Sequence, residues 1–225
     1  MDIMDLKLIP LFSELREEEL EDLMKVSVRQ AFKKDNMVLI EEEVGSTMFI
    51  ILSGRVKISR ISDEGREVIL SILVDGDFFG EMAILDGQTR SANAVTLEDT
   101  EMLIIRRENF LRMLHDYPQI AINLLKELAH RLRRSDSQIK SLSLQNALGR
   151  VASTLLRIAD DSGIIKQGIV EIPHLPPQQD LANMAGTSRE TISRVIKSLG
   201  QLNYVKKQGS KLLILDYERF RQDFS

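Results

Sequence analysis

Two clusters of residues in this chain of 225 carry most of its potential chemistry. The first is Gly80-Glu81, followed a short way on by Arg90-Ser91. Glycine lets backbone N–H groups approach an anion. Arg90 can pair with a phosphodiester charge, and Ser91 can donate a hydrogen bond to it. Glu81 can accept from a ribose 2′-hydroxyl. The competing reading is a structural ion pair between Glu81 and Arg90 in an empty barrel.

The second cluster lies near the C-terminus. Residues 177–185 read as a short helix with Leu181, Met184 and Ala185 on its buried face. Gly186 ends it in a left-handed conformation. Thr187 and Glu190 read as a capping box for a second helix over 188–199, whose buried face is Ile192, Val195, Ile196 and Leu199. That leaves Ser188, Arg189, Glu190, Ser193, Arg194 and Lys197 facing outward. Arginine can make two hydrogen bonds to a guanine edge and glutamate can accept from cytosine, so Arg189, Arg194 and Glu190 suit major-groove reading. Gln178, Thr187, Ser188, Ser193 and Lys197 suit phosphate contacts that position without specifying. The bland alternative is a solvated charged face.

The elements that must hold these clusters are legible as changes of period. Residues 14–25 read as a short helix. From Val26 to Arg106 short apolar or alternating runs recur, at 37–40, 48–52, 56–61, 68–73, 92–96 and 100–105, separated by glycines. That pattern predicts a sandwich or barrel. After Arg106 the period becomes helical. From Pro118 onward Ala121, Leu125, Leu128, Leu132, Ser135, Ile139, Leu142 and Asn146 form a heptad seam, which predicts one long helix and homodimerisation along it. A helix follows from Ala147, then a loop over 160–168, a strand at 169–172, the helix pair, and a hairpin from Val205 to Leu215 turning at Gln208-Gly209. A hairpin after such a helix pair is a winged ending.

Charge supports this division. Residues 1–144 carry a net charge of −7 and residues 145–225 a net of +3. Any nucleic-acid contact therefore belongs to the back part. The chain has no cysteine, which excludes thiol catalysis, iron–sulfur clusters held by cysteine and cysteine zinc sites. No metal constellation and no nucleophile–base pair is evident, so the expectation is a protein that is not an enzyme. No stretch is long and apolar enough for a membrane span, and Met1–Pro10 does not read as a signal peptide, so a cytoplasmic location is expected. His115, His130 and His174 read as surface histidines, and haem sensing has no support.

From about Leu11 to Leu215 the chain resembles the cyclic-AMP receptor protein and fumarate–nitrate regulator (CRP/FNR) family of bacterial transcription regulators. The resemblance rests on Phe79-Gly80-Glu81-Met82-Ala83-Ile84-Leu85-Asp86-Gly87-Gln88-Thr89-Arg90-Ser91-Ala92, which looks like a phosphate-binding cassette. It rests also on Thr187-Ser188-Arg189-Glu190-Thr191-Ile192-Ser193-Arg194, which looks like the family's recognition helix, and on the long helix between them. The resemblance implies an α+β protein: an N-terminal cyclic-nucleotide-binding β-roll, jelly-roll-like, over 1–116, a dimerisation helix over 117–146, and a winged helix-turn-helix over 147–225. It implies a ligand site of Gly80, Glu81, Met82, Ala83, Arg90 and Ser91 with cyclic AMP as the favoured effector. It also implies palindromic double-stranded DNA with TGTGA-like half-sites, and a contact of the 160–168 loop with RNA polymerase. The sequence departs from the family on the long helix. A Thr-Ser pair that contacts adenine is replaced by Ser135-Asp136, and Asp136 can serve an adenine amino group or a guanine edge. A non-nucleotide effector, or none, is the alternative within the family. A nucleotide-binding module acting on a protein partner is the alternative outside it.

Overall fold

The computed structural model describes residues 6–224, so Met1–Asp5 and Ser225 lie outside the described residues. The chain divides into two compact units, residues 1–132 and 133–225. Each is described by itself.

In the first unit a short 3-10 turn at Pro10–Phe12 precedes α1 (Glu17–Lys25). Eight strands follow: β1 (Ser27–Phe32), β2 (Met37–Leu39), β3 (Thr47–Ser53), β4 (Val56–Ile61), β5 (Glu67–Leu73), β6 (Phe78–Phe79), β7 (Asn93–Thr96) and β8 (Thr100–Arg106). A six-residue helix, α2 (Glu81–Asp86), interrupts them between β6 and β7. They form two four-stranded antiparallel sheets, ordered β1-β8-β3-β6 and β2-β7-β4-β5.

The apolar run Met48–Ile51 shows why β3 is central. Its side chains alternate in direction. Phe49 and Ile51 join Leu39, Val56, Leu73, Phe79, Ala94 and Met102 between the sheets. Met48 and Ile50 face the other way, with Leu103 and Ile105 of β8, against α1, α3 (Arg107–Asp116) and the start of α4 (Pro118–Leu144). Burial on both faces is what a continuous apolar strand requires. Phe12, Leu20, Phe110 and Ile120 fill the helical side and are fully buried. Each such side chain contributes roughly 1.5–3 kcal/mol relative to exposure.

The second unit holds the end of α4 and α5 (Ala147–Ser162). A sheet ordered β11-β12-β10-β9 is built from β9 (Ile164–Lys166), β10 (Ile169–Ile172), β11 (Val205–Gln208) and β12 (Lys211–Ile214). Between its strands lie α6 (Gln178–Ala185) and α7 (Arg189–Gln201), and α8 (Tyr217–Phe224) follows them. Phe220 of α8 is fully buried beside Tyr204 and Phe224.

Some expected boundaries move. The cassette contains a short helix, α2, which was not among the expected elements. The long helix ends at Leu144, because Asn146 serves as N-cap of α5 by accepting from the Gly149 N–H. The expected loop at 160–168 holds the last residues of α5 and strand β9, which pairs with β10. Among the described residues no helix is long and apolar enough to cross a membrane.

Candidate functional site

In the first unit the cassette is built around Arg90. Gly80 and Gly87 cap α2 at its two ends with φ of 80° and 76°, a region that glycine enters without steric cost. Strand β6 delivers Gly80 to the sheet edge. Arg90, 6 % exposed, donates through Nη1 to the Gly80 carbonyl at 2.7 Å and through Nη2 to the Thr47 carbonyl at 2.7 Å and to Thr47 Oγ1 at 3.2 Å. Two glycines make room for this guanidinium. A β-carbon on Gly45 would sit 2.5 Å from Arg90 Cζ, and one on Gly80 would sit 2.9 Å from Nη1. Burial pushes the Arg90 pKa down, and the Glu81 and Glu43 carboxylates offset this. Arginine keeps its charge in proteins. These three bonds occupy only part of its five-donor fork, so the fork can also serve an anion.

Glu81, at the start of α2, is 4 % exposed. Its ion-pair partner is Arg131 of α4, whose Nη1 lies 3.3 Å from Glu81 Oε1. The structural alternative of a Glu81–Arg90 pair is therefore not the arrangement seen: Arg90 is spent on carbonyls, and Glu81 on Arg131. Arg131 also donates through Nη2 to the Phe78 carbonyl at 2.8 Å and through Nε to Glu127 at 2.9 Å, and it stands 4.4 Å over the Phe78 ring. Sequence reasoning missed Arg131, Thr47 and Gly45. The one available signal for Arg131 was a guanidinium flanking the heptad seam one turn before Ser135.

The remaining cassette residues divide by exposure. Ser91 donates to Met82 Sδ at 3.5 Å, and both are exposed, so the hydroxyl can turn to a ligand. Ala83 is buried, which leaves only its backbone for a ligand contact. Ser135 and Asp136 are exposed on α4. Arg131, earlier on the same helix, meets the cassette at Glu81 and Phe78.

Burial pushes the Glu81 carboxyl up, with Arg131 opposing. A carboxyl raised by folding favours the fold below its ordinary value near 4.5, and that contribution is lost as the pH rises through the folded value. At neutral pH an ionised Glu81 therefore costs stability in the effector-free protein. Glu81→Gln is expected to raise Tm by about 1–4 °C at pH 7.5, by less at pH 5, and to weaken nucleotide binding. Scanning calorimetry at the two pH values checks this. A lower Tm at pH 7.5 would mean that the Glu81–Arg131 pair outweighs burial.

In the second unit α6 and α7 form the helix pair. Leu181, Ala182, Met184 and Ala185 are buried on one helix and Ile192, Val195, Ile196 and Leu199 on the other. Gly186 sits at φ 59°, ψ 46°, the left-handed turn expected, and the Thr187 N–H bonds to the Ala182 carbonyl at 3.0 Å. The expected capping box is corrected by one residue. Ser188 is the N-cap of α7, its Oγ accepting from the Thr191 N–H at 3.2 Å. Thr187 is drawn into the turn by its bond to Ala182, so Ser188 is the hydroxyl left facing the helix end.

Arg189, Glu190, Ser193, Arg194 and Lys197 are all exposed along one side of α7, and Gln178 and Thr187 are half-buried. Glu190 lies well placed as an anion. Its own backbone N–H holds its carboxyl below the ordinary value, as do the Ser188 hydroxyl, Arg189 and Arg194. Arg150 of α5, missed from the sequence, caps the end of α6. It donates to the Ala185 carbonyl at 3.1 Å and reaches the Gln145 carbonyl at 3.2 Å. The turn of the helix pair is thereby tied to the break between α4 and α5.

Residues 29–117 match the cyclic nucleotide-binding domain family, and residues 149–222 match the Crp-like helix-turn-helix domain family. The chain is 34 % identical over 188 residues to the CRP-like cAMP-activated global transcriptional regulator of Mycobacterium tuberculosis, covering 84 % of each chain. It is 36 % identical over 200 residues to the cyclic AMP receptor protein of Thermus thermophilus, covering 88 % of each. Among solved structures, the Thermus thermophilus catabolite activator protein superposes with a TM-score of 0.56 at 32 % identity, over 95 % of this chain and 97 % of that one.

Proposed function

The chain belongs to the CRP/FNR family of transcription regulators, a ligand-responsive DNA-binding class, and on that premise we propose that it is a homodimer controlled by cyclic AMP. The observation that carries the effector reading is the Arg90 guanidinium, buried between Gly80 and Thr47 and still able to offer N–H groups to an anion. A cyclic phosphate accepts from Arg90, Ser91 and the backbone of Gly80, Met82 and Ala83. Glu81, held ready by Arg131 before the effector arrives, accepts from the ribose 2′-hydroxyl. The base contact is drawn from the adjoining pair Ser135-Asp136 of α4.

DNA is read by α7. Arg189, Glu190 and Arg194 contact base edges of a TGTGA-like half-site, while Gln178, Thr187, Ser188, Ser193 and Lys197 hold phosphates. Two copies joined along α4 place two such helices about 34 Å apart, one turn of DNA. Effector binding acts as a population shift, favouring the dimer geometry in which both helices fit successive grooves. In this proposal the functional division is the sensor over 1–116, the dimerisation helix over 117–146 and the DNA-binding domain over 147–225. The 160–168 segment, now seen to contain β9, contacts RNA polymerase. The protein works in the cytoplasm and performs no catalysis.

The test combines calorimetry with cyclic AMP, cyclic GMP and cyclic di-GMP and a gel shift on palindromic DNA. Cyclic AMP is expected to bind and to strengthen the shift by at least about tenfold, the range of ordinary allosteric coupling. An identical shift with and without every nucleotide would leave a family member with another effector or none. The absence of any shift would favour a module that acts on a protein partner.

A further inference from the structure

The seam of α4 is uncovered in the single chain: Leu125, Leu132 and Ile139 are 65, 64 and 62 % exposed. In heptad lettering these are the a positions, and Leu128, Ser135 and Leu142 are the d positions. In a parallel pair each g residue faces the e residue about five positions further along the other helix. On α4 this aligns Leu124 with the partner subunit's Ala129, Arg131 with the partner subunit's Asp136, and Gln138 with the partner subunit's Ser143. Only the middle pair is charged, and its charges are opposite. Two-fold symmetry supplies it twice.

Arg131 stands at a corner. Leu124, one heptad earlier in the same g row, is buried in its own sensor domain, and Arg131 likewise turns to its own Phe78 and Glu81. The Glu81 contact, at 3.3 Å, is longer than its bonds to Glu127 and to the Phe78 carbonyl. We propose that Asp136 is an inter-subunit residue whose carboxylate pairs with the partner subunit's Arg131, linking the register of the dimer to the effector's ribose site. A ribose hydroxyl that occupies Glu81 loosens its hold on Arg131 and strengthens the cross-subunit pair. Reading of the base then falls to Ser135, and Asp136 contributes nothing to the choice between adenine and guanine. This rests on the homodimer and effector reading above.

The absence of cysteine makes a single introduced thiol a clean probe. Ser135→Cys, at a d position, is expected to give a disulfide-linked dimer on oxidation. Sedimentation of the wild type, Asp136→Asn, Arg131→Gln and the double variant, with cyclic AMP bound, then measures the pair. Asp136→Asn is expected to weaken the dimer about 5- to 20-fold, two partly shielded ion pairs being lost, and less at high salt. In the Arg131→Gln background the same change is expected to cost less than about 2-fold. The ratio of cyclic AMP to cyclic GMP affinity is expected to move by less than about 3-fold, since Asp136 does not read the base. Full dimerisation of Asp136→Asn while Ser135→Cys still cross-links would overturn the pair and leave the seam standing. A change of more than about tenfold in the base ratio would return Asp136 to the base site. Failure of Ser135→Cys to cross-link would overturn the seam and the inference together.

Discussion

Arg90→Ala is expected to lower affinity for cyclic AMP by at least about a hundredfold. A guanidinium that bridges a buried phosphodiester makes two charge-assisted hydrogen bonds, each worth about 1.5–3 kcal/mol. Losing both corresponds to about 10²–10⁴ in affinity at 1.4 kcal/mol per tenfold. The variant also removes the donors of the Gly80 and Thr47 carbonyls, so a fold effect must be separated from a binding effect. Two measurements do so. Thermal unfolding of the effector-free variant should show a loss of about 1–3 kcal/mol at most, because a costly buried charge leaves with the bonds. Arg90→Lys, a point charge without the planar fork, should fold and bind with intermediate affinity. A folded Arg90→Ala protein that binds within tenfold of the wild type would remove the cassette from the effector site.

The parts of this molecule that were legible in the sequence are those decided locally. A glycine at 186 between two short apolar stripes fixes a left-handed turn, and the structure has it there at positive φ. Apolar runs such as Met48–Ile51 read as strands because they are short and recur between glycines, and β3 is indeed buried on both faces. Contacts between distant residues were not legible. Arg131 meets Glu81 across 50 positions and Arg90 meets Thr47 across 43, and no local spacing encodes either. The capping error was of another kind: Thr187 and Ser188 are both competent caps, and the choice is made by the Thr187 N–H bond back to Ala182. Strand β9 was hidden because its residues are exposed and lack alternation. Its signal lay in the turn. Gln167 and Gly168 both have positive φ, at 52° and 83°, the conformation of a tight hairpin.

Arg194→Ala is expected to weaken specific DNA binding by about 1–3 kcal/mol for each half-site, about 2–6 kcal/mol for the proposed homodimer. The side chain is exposed on the second turn of α7, and its Nη2 donates to Thr191 Oγ1 at 3.2 Å, which limits its rotamers before DNA arrives. Less ordering entropy is then lost on binding than for an unrestrained arginine. Arg189 and Glu190 sit in the first turn beside the Ser188 cap, so the three candidate base readers occupy two successive turns of one face. A bidentate arginine discriminates guanine from the other bases, so its loss must relax one position of each half-site. Lys197→Ala provides the contrast. As a phosphate contact it should weaken binding to every sequence alike and reduce the salt slope by about one per protomer. Titration of a palindromic duplex and its single-base variants, at two salt concentrations, separates the two outcomes. Uniform weakening by Arg194→Ala, with the base preference of the wild type intact, would make Arg194 a backbone clamp and leave Arg189 and Glu190 to carry the reading.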